Sequence, residues 1–242
     1  MANNLTPADQ QLINQFKKNK KKQVLQKIAK GYPPQYAIGN VDFMSTKINV
    51  NKRVLIPRFE TENLVLNIIK YFANHKTPIK ALDIGTGSGC IAIALALNLD
   101  AKVEALDISW LALSVARRNA KLNKVKVKFK RCNILRTKAI SKYDLIVSNP
   151  PYIEQNEAVD PMVKYEPKKA LYAKNDALKF YKKIMQLAQG KVKKNGLIAF
   201  EISSTKGQQL KALAQEYFPQ QKVVIAKDLA DKDRYLFISD FK

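Results

Sequence analysis

Short apolar blocks recur along the chain from residue 79 onward, and helical patterns separate most of them. Each block is bounded by turn or polar residues and has the length typical of a buried strand. Strands are predicted at residues 79–84, 103–106, 125–129, 143–147, 197–200, 223–226 and 235–238. Apolar residues three and four apart predict helices at residues 90–97, 110–122, 178–191 and 207–217. This alternation is typical of an α/β fold in which helices cover both faces of a parallel sheet.

The first 78 residues follow a different pattern. Helical spacing of apolar residues between positions 6 and 30 predicts one or two amphipathic helices, with Thr6 as the cap and Pro7 at the first position. The alternating run that follows Gly39, up to residue 56, predicts a short hairpin. A further helix is expected after it. We therefore divide the chain into a short helical N-terminal domain (1–36), a hairpin linker (37–57) and a main domain (58–242).

Composition supports a globular protein with a strongly basic surface. Hydrophobic residues make up 46% of the 242 residues, which is enough for a full core in one main domain. Lys and Arg number 43 against 20 Asp and Glu, a formal net charge of +23. Such an excess favours an acidic partner, either nucleic acid or an acidic protein, so a transient nucleic-acid or ribosome contact is expected. The dense run at residues 17–22 is interpreted as a solvated helix face.

The sequence shows no clear targeting signal and no clear metal-binding pattern. No apolar run approaches the roughly 20 residues that a membrane span needs, and the N-terminus does not follow the pattern of a secretion signal. The expectation is a cytoplasmic protein without membrane contact. Cys90 and Cys132 show no metal-ligand spacing, and His75 is expected in a surface loop, so no metal site is predicted.

A glycine-rich turn follows the first strand of the main domain, in the sequence ALDIGTGSGCIAIALAL. Gly85, Gly87 and Gly89 allow a sharp turn and a close approach to a ligand, and the next helix directs free N–H groups at the same place. Asp83 precedes the turn, and Asp107 ends the next strand, where an acid can accept hydrogen bonds from ribose hydroxyls. S-adenosylmethionine suits this pair of acids. NAD or another nucleotide, and a purely structural turn, remain open on the glycines alone.

A second motif, Asn149-Pro150-Pro151-Tyr152, follows the fourth strand of the main domain at the same edge of the sheet. A planar nitrogen, such as a side-chain amide or the exocyclic amine of a base, is a poor nucleophile unless acceptors hold its hydrogens. The Asn149 side-chain oxygen and the Pro150 carbonyl are such acceptors, and Tyr152 offers a flat face for stacking. The alternative interpretation is a turn that merely ends the strand.

Several segments together resemble a known family, the S-adenosylmethionine-dependent glutamine methyltransferases of peptide-chain release factors (HemK or PrmC type). The segments are QYAIGNVDF, VLIPRFETENLV, ALDIGTGSGCIAIALA with ALDIS, YDLIVSNPPYI and YEPKKALYA. Asn-Pro-Pro-Tyr occurs in many amino-methyltransferases, whereas IPRFETE is much more specific. The likeness covers roughly residues 31–240.

The resemblance implies a seven-stranded, Rossmann-like class I methyltransferase sheet, a small helical N-terminal domain and a connecting β-hairpin. It also implies methylation of the glutamine of a Gly-Gly-Gln loop. Matched by motif, Asn149, Pro150, Pro151 and Tyr152 hold the substrate amide, and Arg58 and Glu62 border the cavity. The residues expected to contact the cofactor are Asp83, Gly85, Thr86, Gly87, Ser88, Gly89, Asp107, Asn133 and Asn149.

The sequence departs from the family pattern at several positions. Phe59 stands where the family has proline, and Asn133 replaces an acid near the adenine, which it is expected to bind through its oxygen. The helical N-terminal region is shorter than in most relatives, and Ser203 and Lys206 change a glycine- and glutamine-rich segment.

Two alternative functions remain. One is an adenine N6-methyltransferase acting on RNA or DNA, which the net charge also suits, and the other is a non-catalytic adaptor on a methyltransferase fold. The protein is expected to act as a monomer.

Overall fold

The computed structural model describes Leu5 and residues 7–154, 161–173 and 176–240. Its first elements are three helices, α1 (Pro7–Asn14), α2 (Lys18–Ala29) and α3 (Pro34–Ile38). Pro7 occupies the first helical position as predicted, while Thr6, the predicted cap, lies outside the described residues. The basic run is part of the exposed face of α2, as interpreted from the sequence. The short helix α3 has no counterpart among the sequence predictions.

A two-stranded hairpin follows these helices. Strand β1 (Asn40–Phe43) pairs antiparallel with β2 (Thr46–Asn49). Met44 and Ser45 connect the strands with φ angles of 49° and 61°, the left-handed pair that a tight two-residue hairpin turn requires. The hairpin is confirmed, but its second strand ends at Asn49. The apolar alternation that continues to residue 56 belongs to an irregular segment, whose buried side chains pack on the core without forming a ladder.

Within the described residues, the main sheet has seven strands in the order β5-β4-β3-β6-β7-β9-β8. The bounds of these strands are β3 (Ile79–Ile84), β4 (Ala101–Asp107), β5 (Val127–Arg131), β6 (Tyr143–Ser148), β7 (Val192–Glu201), β8 (Lys222–Lys227) and β9 (Asp233–Ser239). Strands β3 to β7 are parallel, whereas β9 runs antiparallel to both β7 and β8. Strand β8 therefore runs in the same direction as β3 to β7, and the predicted parallel sheet is wrong only for β9.

Helices cover both faces of this sheet. Their bounds are α4 (Phe59–Phe72), α5 (Cys90–Asn98), α6 (Trp110–Leu122), α7 (Lys168–Leu171), α8 (Lys179–Ala188) and α9 (Gly207–Tyr217), with 3-10 turns at Ile134–Arg136 and Pro161–Tyr165. Helix α8 ends three residues before its predicted end at 191, because the backbone leaves the helical region at Gln189, with a ψ of 123°, and Gly190 follows with a φ of 64°.

The two faces of the sheet separate two hydrophobic cores. Leu145 and Val147 of β6 pack with α4 and α5, while Ile146 between them packs with α8 and α9. Both faces of the strand are buried, which explains why it appears in the sequence as a continuous apolar run. A third, smaller cluster joins Ile13 and Val24 to α3.

No helix in the described part of the chain is long and apolar enough to cross a membrane.

Candidate functional site

The glycine turn leaves the sheet beside the Asn-Pro-Pro-Tyr segment. Ile84 and Ser148, the last residues of β3 and β6, are paired in the sheet, and the Ser148 hydroxyl donates to the Ile84 carbonyl at 2.7 Å. The segments that begin at Gly85 and Asn149 therefore start at the same level of the carboxyl edge. This edge is where open parallel sheets bind ligands.

The three glycines of the turn all adopt left-handed backbone, with φ of 79° at Gly85, 55° at Gly87 and 85° at Gly89. A Cβ on Gly85 would meet no atom within 4 Å, so this residue borders open space. A Cβ on Gly89 would lie 3.1 Å from the Cβ of Ala116 in α6. The first glycine thus leaves room at the rim, while the last allows α5 and α6 to pack closely.

Asp83 is fully buried beneath the turn. Its Oδ2 accepts a hydrogen bond from the Thr86 hydroxyl at 2.6 Å, while its Oδ1 has no hydrogen-bond partner of good geometry among the described residues. Burial raises the pKa of this carboxyl group to about 7. Thr86 and Ser88 of the turn are buried as well. A buried carboxylate oxygen that lacks a donor favours a positively charged group nearby.

Asp107 stands at the end of β4, half-buried beside the turn. Its Oδ2 accepts from the Gly87 amide at 2.9 Å and its Oδ1 from the Ser109 amide at 2.7 Å. Burial raises the pKa of Asp107. Each oxygen retains a further lone pair, so the carboxylate can also accept bonds from ligand hydroxyls. The glycine turn and the carboxylate acceptors of Asp107 and Asp83 together fit a ligand that has both a ribose and a positive charge.

Asn133 begins the 3-10 turn after β5. The Cys132 amide donates to the Asp107 carbonyl at 2.9 Å, which holds this segment against the end of β4. The Asn133 Oδ1 accepts from the Leu135 amide at 3.2 Å. The oxygen predicted to bind a ligand thus already caps its own turn.

Asn149 is half-buried at the end of β6, and two residues that the sequence analysis overlooked hold its side chain. The Asn149 Nδ2 donates to Thr61 Oγ1 at 3.3 Å, and the Thr61 hydroxyl donates to Glu201 Oε2 at 2.7 Å. Glu201 is 2% exposed at the end of β7, and burial raises its pKa to about 7. Pro150 is buried, and Pro151 and Tyr152 are half-buried. Burial, followed by the charge of Glu201, raises the pKa of the Tyr152 hydroxyl.

The two charged candidates of the IPRFETE segment have different surroundings. Arg58 forms an ion pair with Glu166, whose other oxygen accepts from the Ile56 amide at 3.0 Å. Glu62 lies toward the hairpin, where burial raises its pKa and the Met44 amide opposes that shift by hydrogen bonding. Arg58 therefore joins the IPRFETE and YEPKKALYA segments, whereas Glu62 contacts the hairpin turn.

The remaining candidates are less central. Lys206 forms an ion pair with Glu154 at 2.9 Å, which joins the end of the Asn-Pro-Pro-Tyr segment to the segment before α9. His75 is exposed in a loop, as expected. Cys90 is buried, and burial raises its pKa to about 12. The described residues contain no cluster of His, Cys, Asp and Glu that could hold a metal ion.

Three functional candidates escaped the sequence analysis, namely Thr61, Glu166 and Glu201. Glu201 had a usable signal, since it ends an apolar strand in the same way as Asp107 does. Thr61 and Glu166 lie within the quoted segments IPRFETE and YEPKKALYA, but their partners are 140 and 108 residues away, respectively.

Comparison with known proteins adds family information to this geometry. A family model described as "Methyltransferase small domain" matches residues 61–172. A release factor glutamine methyltransferase of Lactococcus lactis subsp. lactis is 42% identical over 220 residues, covering 89% of this chain and 80% of its own. One from Enterococcus faecalis is 41% identical over 84% of this chain and 74% of its own. The crystal structure of a methyltransferase from Pyrococcus furiosus matches with a TM-score of 0.60, 17% identity, and 93% and 99% coverage, which shows a common fold.

Proposed function

Since the chain belongs to the release factor glutamine methyltransferase family, we propose that it methylates a glutamine side-chain amide in a peptide-chain release factor. The observation that supports this proposal most directly is the position of Asn149 beside the glycine turn. Its amide nitrogen is already bonded to Thr61, which leaves its oxygen as an acceptor. A substrate amide needs such an acceptor to orient its N–H groups.

The methyl donor is S-adenosylmethionine, which supplies an electrophilic methyl group from a sulfonium. We assign its binding to the glycine turn and the two acids. The backbone at Gly85, Thr86, Gly87, Ser88 and Gly89 borders it, Asp107 accepts from the ribose hydroxyls, and Asp83 provides negative charge beneath the turn. Asn133 borders the base, and Asn149 lies between cofactor and substrate.

The substrate amide is assigned to the Asn-Pro-Pro-Tyr segment. Asn149 Oδ1 and the Pro150 carbonyl accept its two N–H hydrogens, so that its lone pair points away from both acceptors and toward the donor. Proline has no N–H that would compete for that lone pair, and Tyr152 stacks on the planar amide. No strong general base is needed, because the nitrogen becomes acidic once it is methylated and then loses its proton. Arg58 borders this cavity through its ion pair with Glu166, and Glu62 borders it on the hairpin side.

A second candidate function is N6-methylation of adenine in RNA or DNA. An exocyclic amine is planar like an amide and fits the same two acceptors, and the exposed lysines of α2 suit a polyanion. The 42% identity to a named release factor enzyme favours glutamine. The hydrogen bonds that hold the Asn149 side chain argue against the third alternative, a non-catalytic adaptor.

The setting of this activity follows from the substrate. Release factors work in translation, so we propose a cytoplasmic enzyme whose basic surface makes transient contact with the ribosome or its RNA. A monomer suffices, because all assigned residues come from one chain. We propose that residues 1–36 and the hairpin linker 37–57 help to dock the release factor on the domain formed by 58–242.

A substrate panel tests the proposed function. The purified protein is incubated with labelled S-adenosylmethionine and, separately, with a release factor, the same factor with its loop glutamine changed to alanine, ribosomal RNA and duplex DNA. Label in the unchanged factor alone is the expected result. Label in RNA or DNA but not in the factor would contradict the proposal and support the adenine alternative.

A further inference from the structure

Three side chains from three distant parts of the chain form a hydrogen-bond chain beneath the substrate position. Glu201 ends β7, Thr61 lies in the first turn of α4, and Asn149 follows β6. The Thr61 hydroxyl donates to Glu201 at 2.7 Å and accepts from the Asn149 amide nitrogen at 3.3 Å. A hydroxyl has a single hydrogen, so the direction of one bond sets the direction of the other.

We propose that Glu201 is a positioning residue for methyl transfer, acting through Thr61 to hold the Asn149 side-chain oxygen toward the substrate amide. This inference rests on the proposed function in so far as the substrate is a planar nitrogen. Ionised Glu201 can only accept, so the Thr61 hydrogen points to it and the Thr61 oxygen faces Asn149. That oxygen attracts the Asn149 Nδ2 and repels its Oδ1. The carboxamide is therefore held in one of its two possible orientations.

Protonation of Glu201 removes this preference. A neutral carboxyl group can donate to Thr61, and the Thr61 hydrogen is then free to point at Asn149. The Asn149 oxygen becomes the better partner, so the carboxamide turns over and presents N–H groups to a substrate that needs acceptors. The orientation of the Asn149 carboxamide that suits catalysis therefore requires Glu201 to be ionised.

The surroundings place this protonation near neutral pH. Burial raises the pKa of Glu201 to about 7, opposed first by the Thr61 hydrogen bond and then by the positive charge of Arg234, while Glu60 raises it further. The titratable groups that face Glu201 from the packed elements are Glu60 of α4, Cys90 of α5, Tyr152 after β6, Tyr181 of α8, and Arg234 and Tyr235 of β9. The Tyr181 hydroxyl donates to the Glu201 carbonyl at 2.9 Å, which fixes the backbone at this point.

Two variants of Thr61 separate positioning from packing. Thr61→Val keeps the shape of the side chain and removes the hydroxyl, while Thr61→Ser keeps the hydroxyl. We expect Thr61→Val to lower kcat by on the order of tenfold to a hundredfold with little change in S-adenosylmethionine binding, and Thr61→Ser to restore most of the rate. Because Thr61→Val breaks the connection between Glu201 and Asn149, the residual kcat of this variant should lose the pH dependence that Glu201 ionisation gives near pH 7. Equal rates and equal profiles for the two variants would overturn the proposal.

A spectroscopic measurement tests the coupling between Glu201 and Asn149 without any substrate. Its result is therefore valid even if the release factor is not methylated. The side-chain ¹H–¹⁵N signals of Asn149, assigned by their loss in Asn149→Asp, should titrate with a midpoint near Glu201's pKa of about 7. Asp83 titrates in the same range, so Glu201→Gln is the control and should abolish the transition at Asn149. Signals that stay constant between pH 5.5 and 8.5 (roughly 1.5 units either side of neutral), or a transition that persists in Glu201→Gln, would contradict the proposal.

Discussion

Arg58 and Glu166 form an ion pair that joins two segments 108 residues apart. Glu166 is 5% exposed and also accepts from the Ile56 amide, so one buried carboxylate holds both the backbone and the side chain of the IPRFETE segment. The two segments belong to the family resemblance, and this contact shows why they occur together. It fixes the start of α4, which presents Thr61 to the site.

Removing this carboxylate should destabilise the fold. Glu166→Ala leaves the Ile56 amide and the Arg58 guanidinium without their acceptor, which we expect to lower the free energy of unfolding by about 1–3 kcal/mol. Urea denaturation measures the change. Asp231→Asn is the matched control, because its pair with Lys227 is exposed and should contribute much less to stability. Equal effects of the two variants would show that the Glu166 contacts do not stabilise the segment.

Gly85 and Gly190 offer a matched test of the glycine turn. Both have left-handed φ, 79° and 64°, and a Cβ on either would meet no atom within 4 Å. Alanine at either position should therefore cost a similar backbone strain of about 1 kcal/mol. Only Gly85→Ala should also weaken S-adenosylmethionine binding, measured by calorimetry, because its methyl group points into the ligand space. Loss of affinity in both variants would indicate a general effect of strain.

Strand β3 and helices α6 and α9 follow their predicted bounds, because apolar periodicity is a local property of the sequence. In contrast, β5 begins at Val127 and not at residue 125, since the alternating VKVKFKR run has the same period in either register. The reversed direction of β9 depends on tertiary packing, and no local sequence pattern indicates it.

The same distinction applies to the site. Asn149 and Asp107 can be inferred because each follows a strand at the carboxyl edge. Thr61 occupies a position on the buried face of α4 that resembles any core position, and its partner Glu201 is 140 residues away. A hydrogen bond between such residues depends on how helix and sheet pack, so it could not be predicted from the sequence.

Glu201 should reduce stability at high pH while it supports activity. Burial raises its pKa from the ordinary 4.5 to about 7, so between these values the folded chain retains a proton that the unfolded chain releases. The free energy of unfolding therefore falls as the pH rises through this window. Glu201→Gln, which cannot ionise, should be more stable than the wild type by about 1–3 kcal/mol at pH 8 (about one unit above that pKa) and about equally stable at pH 4 (roughly its ordinary value).

Urea denaturation at both pH values measures this difference. Asp83→Asn is a parallel case, since burial raises the pKa of Asp83 from 3.8 to about 7. A stability gain of Glu201→Gln that is the same at both pH values would contradict a buried, ionising carboxyl group.

Asn149→Ala should separate cofactor binding from turnover. The variant loses the oxygen assigned to the substrate amide, so we expect kcat to fall by on the order of a hundredfold to a thousandfold. S-adenosylmethionine binding should remain nearly unchanged, because the glycine turn and Asp107 are intact. Loss of cofactor affinity with full turnover at saturation would show that Asn149 acts on the cofactor alone.

The most direct test of the central claim is mass spectrometry of a release factor after incubation with S-adenosylmethionine and either the wild-type protein or Asn149→Ala. The wild-type protein should add one methyl group to the side-chain nitrogen of the loop glutamine, and Asn149→Ala should leave that glutamine unmodified over the same time. A methyl group on another residue, or equal modification by the two proteins, would contradict the account.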